Sequence, residues 1–356
     1  MKNDKITKIF ILIKIFKRLS MQNIFKKIYK LESLKQEESY RLFKSIVSGE
    51  INDIQLSSIL TAMHVRNESM EEILGAIYAF LEKMKLFPRP NYIFSDIVGT
   101  GGDNQNTINI STASAFVASY CGFKIIKHCN QAVSSTSGSS DILKKFRINL
   151  NPSLKNSLKT LDKLNICFLF APQYHSGFQC ASHVRKILKM KTIFNLLGPF
   201  LNPSRPIYTV IGVYKKDLVY PMIKILKKLK YRKGIILHSN GTDEVTLHGI
   251  TYISELLNKR IYSYELEAKD FGLKTHDKAI YIAGSSKDSY DIVKKIMQGK
   301  GDKLHEEIIA VNVAILLKNF GYTDLKSNTK MILKKIRSGE IYKHIIQISN
   351  MLKEDK

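Results

Sequence analysis

The fold can be inferred from residues 92–122, which read YIFSDIVGTGGDNQNTINISTASAFVASYCG. The apolar run over 92–98 predicts a β-strand, and a glycine-rich turn separates it from a helix-like stretch between Ser111 and Cys121. Gly122 stands where a helix commonly ends, because glycine adopts the left-handed backbone without strain. A strand, a glycine turn and a helix in that order are typical of an α/β domain.

Further apolar strand candidates follow along the chain, and helical patterns separate most of them. They occupy residues 124–127, 166–170, 207–213 and 234–238, and a hairpin is predicted within 251–265. Strands that alternate with helices favour a mainly parallel central sheet. The sequence therefore predicts a large α/β domain whose C-terminal third is helical.

The segment before residue 92 has a helical pattern instead. Capping boxes are predicted at Ser33 and Ser69, where side chains would satisfy free N–H groups of a first helical turn. Two prolines within Phe87–Pro90 then interrupt the helical periodicity. We therefore predict a small helical domain over residues 21–88, and we assign no role to the basic N-terminal extension, residues 1–20.

The length and composition are those of a globular protein with two domains. The 356 residues exceed one compact core, and 44% of them are hydrophobic while 24% are charged. No apolar run reaches the ~18 residues of a membrane-spanning helix, so no membrane partner is predicted. The four cysteines form no C-x-x-C pair, which is typical of reduced thiols and predicts a cytoplasmic location.

The net charge of +25 raises the question of nucleic-acid binding. The lysines are spread through every segment among many Ile and Asn residues, whereas nucleic-acid readers concentrate Arg and aromatic residues on one stripe. This pattern favours a general compositional bias, and no nucleic-acid partner is predicted. The charge would still attract anionic small substrates by electrostatic steering.

Two segments after the first strand are candidate phosphate-binding elements. Gly99–Asp103 contains three glycines, so its backbone can approach a ligand closely, although an ordinary turn is the alternative. It matches neither a Walker loop nor a dinucleotide-binding fingerprint. Asn109–Thr112 opens the next helix, where free N–H groups and the helix dipole favour an anion, although its Ser and Thr are also typical N-caps.

Two further segments follow later strands. Lys127–Gln131 and the Ser-rich residues 134–141 suit phosphate binding, with a solvated loop as the alternative. Asp243 and Glu244 follow a glycine turn, and adjacent carboxylates suit Mg²⁺, with a solvated acidic pair as the alternative. Open α/β sheets bind ligands at the carboxyl ends of their strands, so we expect all four segments at one edge of the sheet.

In the order and spacing of its motifs, the sequence resembles the anthranilate phosphoribosyltransferases of tryptophan biosynthesis from about Met21 to the C-terminus. The resemblance implies a small helical domain, completed by about residues 174–201, and a large donor-binding α/β domain over 91–173 and 202–356. It also implies an active site in the cleft between the domains. The matching motifs are Asp96–Asp103 (DIVGTGGD), Asn109–Ala113 (NISTA), Lys127–His128 with Asn130, Ser134–Ser135, Ser137–Asp141 (SGSSD), Phe170–His175 (FAPQYH), Asn195–Pro199 (NLLGP) and Asp243–Val245 (DEV).

The resemblance further implies the reaction of 5-phosphoribosyl 1-diphosphate (PRPP) with anthranilate, which gives N-(5-phosphoribosyl)anthranilate and pyrophosphate. This reaction is the second step of tryptophan biosynthesis from chorismate. The implied cofactor is Mg²⁺, with two ions per subunit and with Ser111, Asp243 and Glu244 as ligands. The implied partners are the two substrates and a second copy of the chain, and association with an anthranilate synthase is left open.

The same resemblance assigns the substrate-binding residues. Anthranilate is assigned to Gly99, Asn130 and Arg185. No residue is assigned as a general acid or base, and His128 and His175 are candidates for orienting the acceptor. The residues implied in donor binding are Gly99, Gly102, Asp103, Thr107, Asn109, Ile110, Ser111, Thr112, Lys127, Asn130, Ser134, Ser135 and Ser139.

The sequence departs from the family pattern at Cys129 and Gln131, where the family has Gly and Arg. If the family's Gly has a positive φ, Cys129 adds backbone strain of about 1–3 kcal/mol. The loss of the Arg removes a cation near the phosphates. We therefore predict weakened donor binding rather than inactivity.

Two other functions are compatible with parts of the pattern. A pyrimidine nucleoside phosphorylase shares the architecture and a glycine-rich phosphate loop, but an acidic pair that binds metal is unexpected there. A non-catalytic, basic nucleic-acid-binding relative is supported by the charge and by the two departures. The acidic pair and the Asn-Ile-Ser-Thr helix start favour the transferase over both.

Overall fold

The computed structural model describes residues 21–102, 105, 107–130, 138–276 and 285–353. These residues form two compact units. The helical unit contains 21–84 and 175–197, and the α/β unit contains 85–174 and 198–353. Within the described ranges, no helix has both the length and the apolar character needed to cross a membrane.

The helices alternate with the strands in the middle of the chain and follow one another at both ends. The strands are β1 (Ser95–Gly99), β2 (Ile125–Cys129), β3 (Ile166–Phe170), β4 (Tyr208–Gly212), β5 (Lys233–Ser239), β6 (Thr251–Leu257) and β7 (Arg260–Leu266). The helices are α1 (21–29), α2 (Gln36–Val47), α3 (Asp53–Arg66), α4 (Met70–Lys83), α5 (Ile110–Tyr120), α6 (Ser139–Lys145), α7 (Leu154–Leu164), α8 (Ala171–Tyr174), α9 (Gly177–Leu188), α10 (Ile193–Leu197), α11 (Val219–Lys228), α12 (Ser286–Met297), α13 (Lys303–Asn319), α14 (Leu325–Arg337) and α15 (Glu340–Met351).

The helical unit contains a buried carboxylate, Glu72, in the first turn of α4. Ser69 caps that helix by accepting from Glu72 N (3.3 Å), and Glu72 accepts in return from Ser69 N (2.9 Å), which confirms the capping box predicted there. The same carboxylate pairs with Arg66 and accepts from Leu34 N (2.9 Å). A buried charge is tolerated only when it is paired and hydrogen-bonded, as this one is.

The capping box predicted at Ser33 is wrong. Helix α2 begins at Gln36, and its first turn is completed by Glu38, which accepts from Lys35 N (2.9 Å). The chain at Leu34 is instead bound through its N–H to Glu72 of α4. This contact between distant parts of the chain delays the start of the helix.

The α/β unit contains a seven-stranded sheet in the order β3-β2-β1-β4-β5-β6-β7. Strands β1 to β5 are parallel, and the predicted hairpin β6–β7 is added antiparallel to β5. The predicted fold class is therefore confirmed: a small all-helical part and a larger α/β part with a mainly parallel sheet. Because β1, β2, β4 and β5 run in the same direction, their carboxyl ends lie at one edge.

The core of the α/β unit surrounds α5 and α13. Phe116 of α5 packs edge-to-face on Phe146 and Phe168, with ring centroids 5.6 Å apart in both pairs. Helix α13 contacts α5 and three strands, β1, β4 and β5, and it is buried along most of its length. These helices hold the carboxyl edge of the sheet rigid, because close-packed interiors resist displacement.

Candidate active site

The turn after β1 forms a glycine loop, residues 99–102. Thr100 N donates to Gly212 O (3.0 Å), which ties this loop to the end of β4. Gly101 and Gly102 have φ of 64° and 74°, a backbone region in which a side chain would be strained. The loop therefore requires glycine at both positions, independently of any ligand.

The Asp243 carboxylate lies directly against the glycine loop. Gly101 N donates to Asp243 Oδ2 (2.7 Å), and a Cβ atom built on Gly99 would overlap the same carboxylate. Gly212 is the register partner of Gly99 on β4, and a Cβ there would overlap the backbone carbonyl of Asp243. The glycine loop and the segment that carries Asp243 are therefore in direct contact at one edge of the sheet, where both were expected.

The turn that carries Asp243 is fixed at its start by His238. The His238 Nδ1–H donates to Val213 O (2.7 Å), and its Nε2 accepts from Gly241 N (3.2 Å). These two bonds require a neutral imidazole with the proton on Nδ1. Thr242 N donates back to Ser239 O (2.9 Å), which closes the turn.

One hydroxyl group before α5 and one in its first turn make contacts near the acidic pair. Thr107 Oγ1 donates to Glu244 Oε2 (3.4 Å), and Ser111 Oγ accepts from Lys127 Nζ (3.3 Å). Lys127 Nζ also donates to Ile97 O (2.5 Å). The structure thus brings five of the predicted site residues, Thr107, Ser111, Lys127, Asp243 and Glu244, to the carboxyl edge of the sheet together with the glycine loop.

Lys127 is a buried cation, with only 1% of its surface exposed. Burial lowers the pKa of Lys127, and the attraction of Asp96, Cys129, Glu244 and Asp243 opposes this shift. Burial also raises the pKa of Asp96 to about 6, against the opposing effect of Lys127. Asp96 Oδ2 accepts from Asn202 Nδ2 (2.7 Å), so the carboxylate is held inside the sheet beside the lysine.

At the start of α5, backbone N–H groups are better placed to bind an anion than the side chains are. Helix α5 begins at Ile110, so Ser111 and Thr112 lie inside it and are not N-caps. The side chains of Ile110 and Thr112 are buried, at 2% and 0% exposure, and Asn109 N donates to Ser289 Oγ (3.1 Å). Any anion bound here would meet the first-turn N–H groups, which have no intrahelical acceptor.

The segment after β2 is described only in part. Asn130 is exposed, and its carbonyl accepts from Ser140 N (3.2 Å), while Ser139 is half-buried at the start of α6. Asp103, Ser134 and Ser135, which were predicted to bind the donor, lie outside the described residues, as does Gln131. The predictions for these four residues therefore stay predictions.

Cys129 causes no backbone strain. It is the last residue of β2, paired in register with Phe170, and it is absent from the positions of positive φ within the described residues. Its Sγ donates to Leu169 O (3.5 Å), and burial raises the pKa of the thiol to about 12. The condition under which Cys129 was expected to add strain is not met, because regular strand backbone suits any residue with a side chain.

The two histidine candidates have different surroundings. His128 is 6% exposed, and its Nδ1 lies 3.3 Å from Gly198 O, to which it can donate. His175 belongs to the helical unit, where it is 2% exposed and its ring packs edge-to-face on Phe178, with centroids 5.5 Å apart. Both rings are thus packed within their own units.

Arg185 is a half-buried cation on α9 of the helical unit. Its guanidinium lies 5.3 Å from the centre of the Phe194 ring, and no carboxylate of the described chain is within salt-bridge distance of it. Burial lowers the pKa of Arg185 to about 10, so it remains charged at neutral pH. A planar guanidinium matches the geometry of a carboxylate, so this side chain can bind such an anion through two N–H groups.

The donor atoms near the acidic pair fit magnesium. Asp243, Glu244 and the Thr107 hydroxyl present hard oxygen atoms of the kind that Mg²⁺ binds together with water and phosphate, and the third predicted ligand, Ser111 Oγ, accepts from Lys127 Nζ. No group of three or more His, Cys, Asp or Glu side chains suited to a metal exists within the described chain. The donor set therefore suits a shared metal–phosphate site rather than a closed structural metal site.

Several supporting residues were missed by the sequence analysis. Gly212 ends a strand, which is a recognisable signal for close backbone approach. Asp96 was noted only as part of a motif, and Asn202 and His238 carried no local signal of their contacts. Their roles depend on partners far away in the sequence.

Comparison with known proteins first defines the class. The a/b domain of the glycosyl transferase family matches residues 91–342, and the helical bundle domain of the same family matches residues 22–84. The chain therefore belongs to this glycosyl transferase family. Within it, the chain belongs to the anthranilate phosphoribosyltransferases, as shown by its relatives.

Two relatives come from Buchnera aphidicola and bear the name anthranilate phosphoribosyltransferase. The protein of subspecies Schizaphis graminum is 74% identical over 335 residues, which are 94% of this chain and 100% of that protein. The protein of subspecies Diuraphis noxia is 68% identical with the same coverage. These relatives do not favour the nucleoside phosphorylase or the nucleic-acid-binding alternative.

Solved structures agree with this assignment. The anthranilate phosphoribosyltransferase of Thermus thermophilus has a TM-score of 0.84 at 28% identity and covers 92% of this chain and 99% of its own. The Saccharomyces cerevisiae enzyme in complex with PRPP and Mg has a TM-score of 0.83 at 29% identity and covers 93% and 98%. A further yeast structure contains 4-fluoroanthranilate and has a TM-score of 0.78 at 28% identity, with coverage of 93% and 98%.

Proposed function

We propose that this chain transfers the 5-phosphoribosyl group of PRPP to the amine of anthranilate and releases pyrophosphate. The observation that carries the proposal is the contact of the glycine loop with the acidic pair, through Gly101 N and Asp243 Oδ2, at the carboxyl edge of the sheet. The start of α5 lies at the same edge, with Ser111 bound to Lys127. Related structures with PRPP and Mg or with 4-fluoroanthranilate support the two substrates.

The α/β unit supplies what a sugar diphosphate needs. Backbone N–H groups of the first turn of α5 donate to the phosphates, together with Gly102 N and the hydroxyls of Thr107 and Ser139. Two other N–H groups of the glycine loop are already bound, Thr100 N to Gly212 O and Gly101 N to Asp243 Oδ2. The Lys127 side chain, which donates to Ile97 O and Ser111 Oγ, is proposed as a further donor near the phosphates. The exposed Asn130 is proposed to contact both substrates, and Gly102, Asp103, Ser134 and Ser135 are proposed as further donor contacts.

Magnesium is proposed as the cofactor, with two ions per subunit. Asp243, Glu244 and Ser111 would hold it, and the bound ion would supply positive charge that stabilises the departing diphosphate. The protein's own part is to hold the Asp243 carboxylate against the glycine loop, through the hydrogen bond that it accepts from Gly101 N.

The bond changes require little acid–base catalysis. The nitrogen lone pair of anthranilate forms the new bond to the ribose C1, the bond from C1 to the diphosphate oxygen breaks with its electron pair, and one amine proton passes to water. An aromatic amine is neutral at pH 7, so no general base is needed to free its lone pair. Catalysis then rests on positioning, with Arg185 proposed to bind the anthranilate carboxylate and His128 and His175 proposed to orient the ring.

The decisive assay follows the loss of anthranilate fluorescence when PRPP and Mg²⁺ are added, with and without a chelator. The double variant Asp243→Asn, Glu244→Gln should fold normally and lose Mg²⁺-dependent turnover. Asp217→Asn is the control, because Asp217 is an exposed acid of the same unit, with 76% of its side chain exposed. Normal turnover in the double variant would disprove the metal assignment, and the absence of turnover in the unmodified chain would disprove the reaction.

We also propose the homodimer that the resemblance implied. Exposed aliphatic side chains on α3 and α9 of the helical unit support it, namely Ile54 (84% exposed), Val65 (66%) and Ile187 (66%), and Ile54 and Ile187 line one groove. Light scattering should give twice the chain mass of 40.7 kDa. Ile54→Glu with Ile187→Glu should give a monomer, and the matched change Tyr262→Glu on β7 should not. Monomeric unmodified chain at micromolar concentration would rule the dimer out.

A further inference from the structure

The residue that follows the acidic pair, Val245, is held by one side-chain amide from a distant helix. Val245 N donates to Asn312 Oδ1 (3.0 Å), and Asn312 Nδ2 donates to Val245 O (2.9 Å). The two residues are 67 positions apart in the chain. A pair of bonds to the N–H and C=O of one residue fixes both its position and its rotation, as a neighbouring strand would.

The amide itself cannot turn. Asn312 Nδ2 also donates to Ile308 O of its own helix α13 (2.8 Å), so both of its amide hydrogens and its oxygen are used. Asn312 is 4% exposed, and the neighbouring positions Val311 and Val313 are aliphatic and completely buried. A buried polar group in such surroundings is costly unless all its bonds are made, which is the case here.

The position of Val245 controls the acidic pair, because the turn of residues 239–245 is anchored at both ends. At its start, His238 Nε2 accepts from Gly241 N (3.2 Å). At its end, the amide of Asn312 holds the residue next to Glu244. Between these anchors, Thr242 Oγ1 lies within hydrogen-bond distance of Ser239 O (2.8 Å) and Glu244 O (3.1 Å). Removing one anchor would let both carboxylates reorient.

We propose that Asn312 is a positioning residue for Asp243 and Glu244: it sets the direction in which the two carboxylates meet metal and diphosphate. This inference rests on the proposed function. Asn312 is not a catalytic residue, because its side chain is committed to Val245 and Ile308 and reaches neither the carboxylates nor the glycine loop.

The same helix offers a matched control. Asn319 lies seven residues, or two turns, after Asn312 on α13 and is 1% exposed. Its Nδ2 donates to Ser95 Oγ (3.2 Å) at the beginning of β1, the end of that strand opposite to the glycine loop. The variants Asn312→Leu and Asn319→Leu therefore each remove one buried amide from α13, the first beside the acidic turn and the second away from it.

The test measures binding of pyrophosphate in the presence of Mg²⁺ by calorimetry, with thermal stability measured alongside. Asn312→Leu should weaken this binding by about tenfold and raise the Mg²⁺ concentration for half-maximal rate, while the anthranilate KM stays within about twofold. Asn319→Leu, which removes one hydrogen bond where Asn312→Leu removes three, should lose less stability and keep the binding of the unmodified chain. If Asn312→Leu does not fold, Asn312→Ser is the substitute, because a serine hydroxyl can still donate to Ile308 O within the helix. It should weaken pyrophosphate binding by the same factor.

The outcomes separate this inference from the proposed function. Unchanged affinity in a folded Asn312 variant, or an equal loss in Asn319→Leu, would overturn the role of Asn312 alone. An unmodified chain that binds no pyrophosphate at any Mg²⁺ concentration would overturn the proposed metal site, and this inference with it.

Discussion

The Asp243 carboxylate occupies the space that a side chain on Gly99 would fill. Because Gly99 has no side chain, the Asp243 carboxylate can reach Gly101 N at 2.7 Å. Gly99 and Gly212 are register partners on β1 and β4, so this opening is shared by two strands. Asp243 can approach the glycine loop only because both positions are glycine.

Gly99→Ala should displace the Asp243 carboxylate. The obstacle is the end of a side chain, so we expect a small loss of stability and a loss of Mg²⁺-dependent pyrophosphate affinity of about tenfold. Gly198→Ala is the control, because a Cβ there meets no atom within 4 Å. Unchanged affinity in Gly99→Ala, measured by calorimetry, would show that Asp243 is not needed in its present position.

Arg185→Ala should raise the anthranilate KM by at least about 30-fold and leave the PRPP KM nearly unchanged, because the anthranilate carboxylate would lose its half-buried guanidinium partner. Arg185→Lys should recover little, since an ammonium cannot make a two-point contact with a carboxylate. The exposed neighbour Lys186 provides the control variant, Lys186→Ala. Steady-state kinetics in both substrates tests this, and an effect confined to PRPP would contradict the assignment.

Cys129→Gly should destabilise the protein without improving donor binding. The residue is 2% exposed within a regular strand, so glycine would leave a small void and a more flexible unfolded chain, at a cost of about 1–2 kcal/mol. Gln131→Arg, made separately, should lower the PRPP KM by adding a cation. Urea unfolding and PRPP kinetics on the two single variants distinguish these effects, and a lower PRPP KM in Cys129→Gly would count against this interpretation.

His344 should make the protein less stable in acid. Its Nε2 lies 3.0 Å from Ser119 Oγ, and burial lowers its pKa to about 4 from an ordinary value of 6.5. A lowered histidine pKa means that its contribution is complete above pH 6.5 and is lost as the pH falls towards 4, by about 2–3 kcal/mol between pH 7.5 and 4.5.

Urea unfolding of His344→Gln should therefore show a smaller loss of stability over this pH range than the unmodified chain. His183→Gln is the control, because the His183 side chain is 71% exposed. If the two variants show the same dependence on pH, the burial of His344 is not responsible for the acid sensitivity.

Much of the fold was predictable from local patterns. The apolar runs at 166–170 and 207–213 became β3 and β4, and Gly122 ends α5 with a φ of 92°. The run at 92–98 was placed too early: β1 begins at Ser95, because Phe94 packs with Phe87 and Ile126 in a separate small cluster. Strand ends depend on such packing, which periodicity does not reveal.

The residue types of the candidate site were also predictable, because glycine loops, helix starts and adjacent carboxylates have recognisable local chemistry. Their mutual contacts were not. Lys127 was expected simply as a phosphate contact, yet it is buried between Ile97 O and Ser111 Oγ with Asp96 nearby. Thr112 was expected to face the donor, and its side chain is completely buried.

Local chemistry was enough to locate the strands, the loops and the residues capable of binding phosphate and metal, since periodicity, glycine conformation and charge act over a few neighbouring positions. Folding in three dimensions added the contacts that make these pieces a site. Gly101 and Asp243 are 142 residues apart in the chain, and Asn312 reaches Val245 across 67. Such contacts follow from strand order and register, which arise only when the whole core packs.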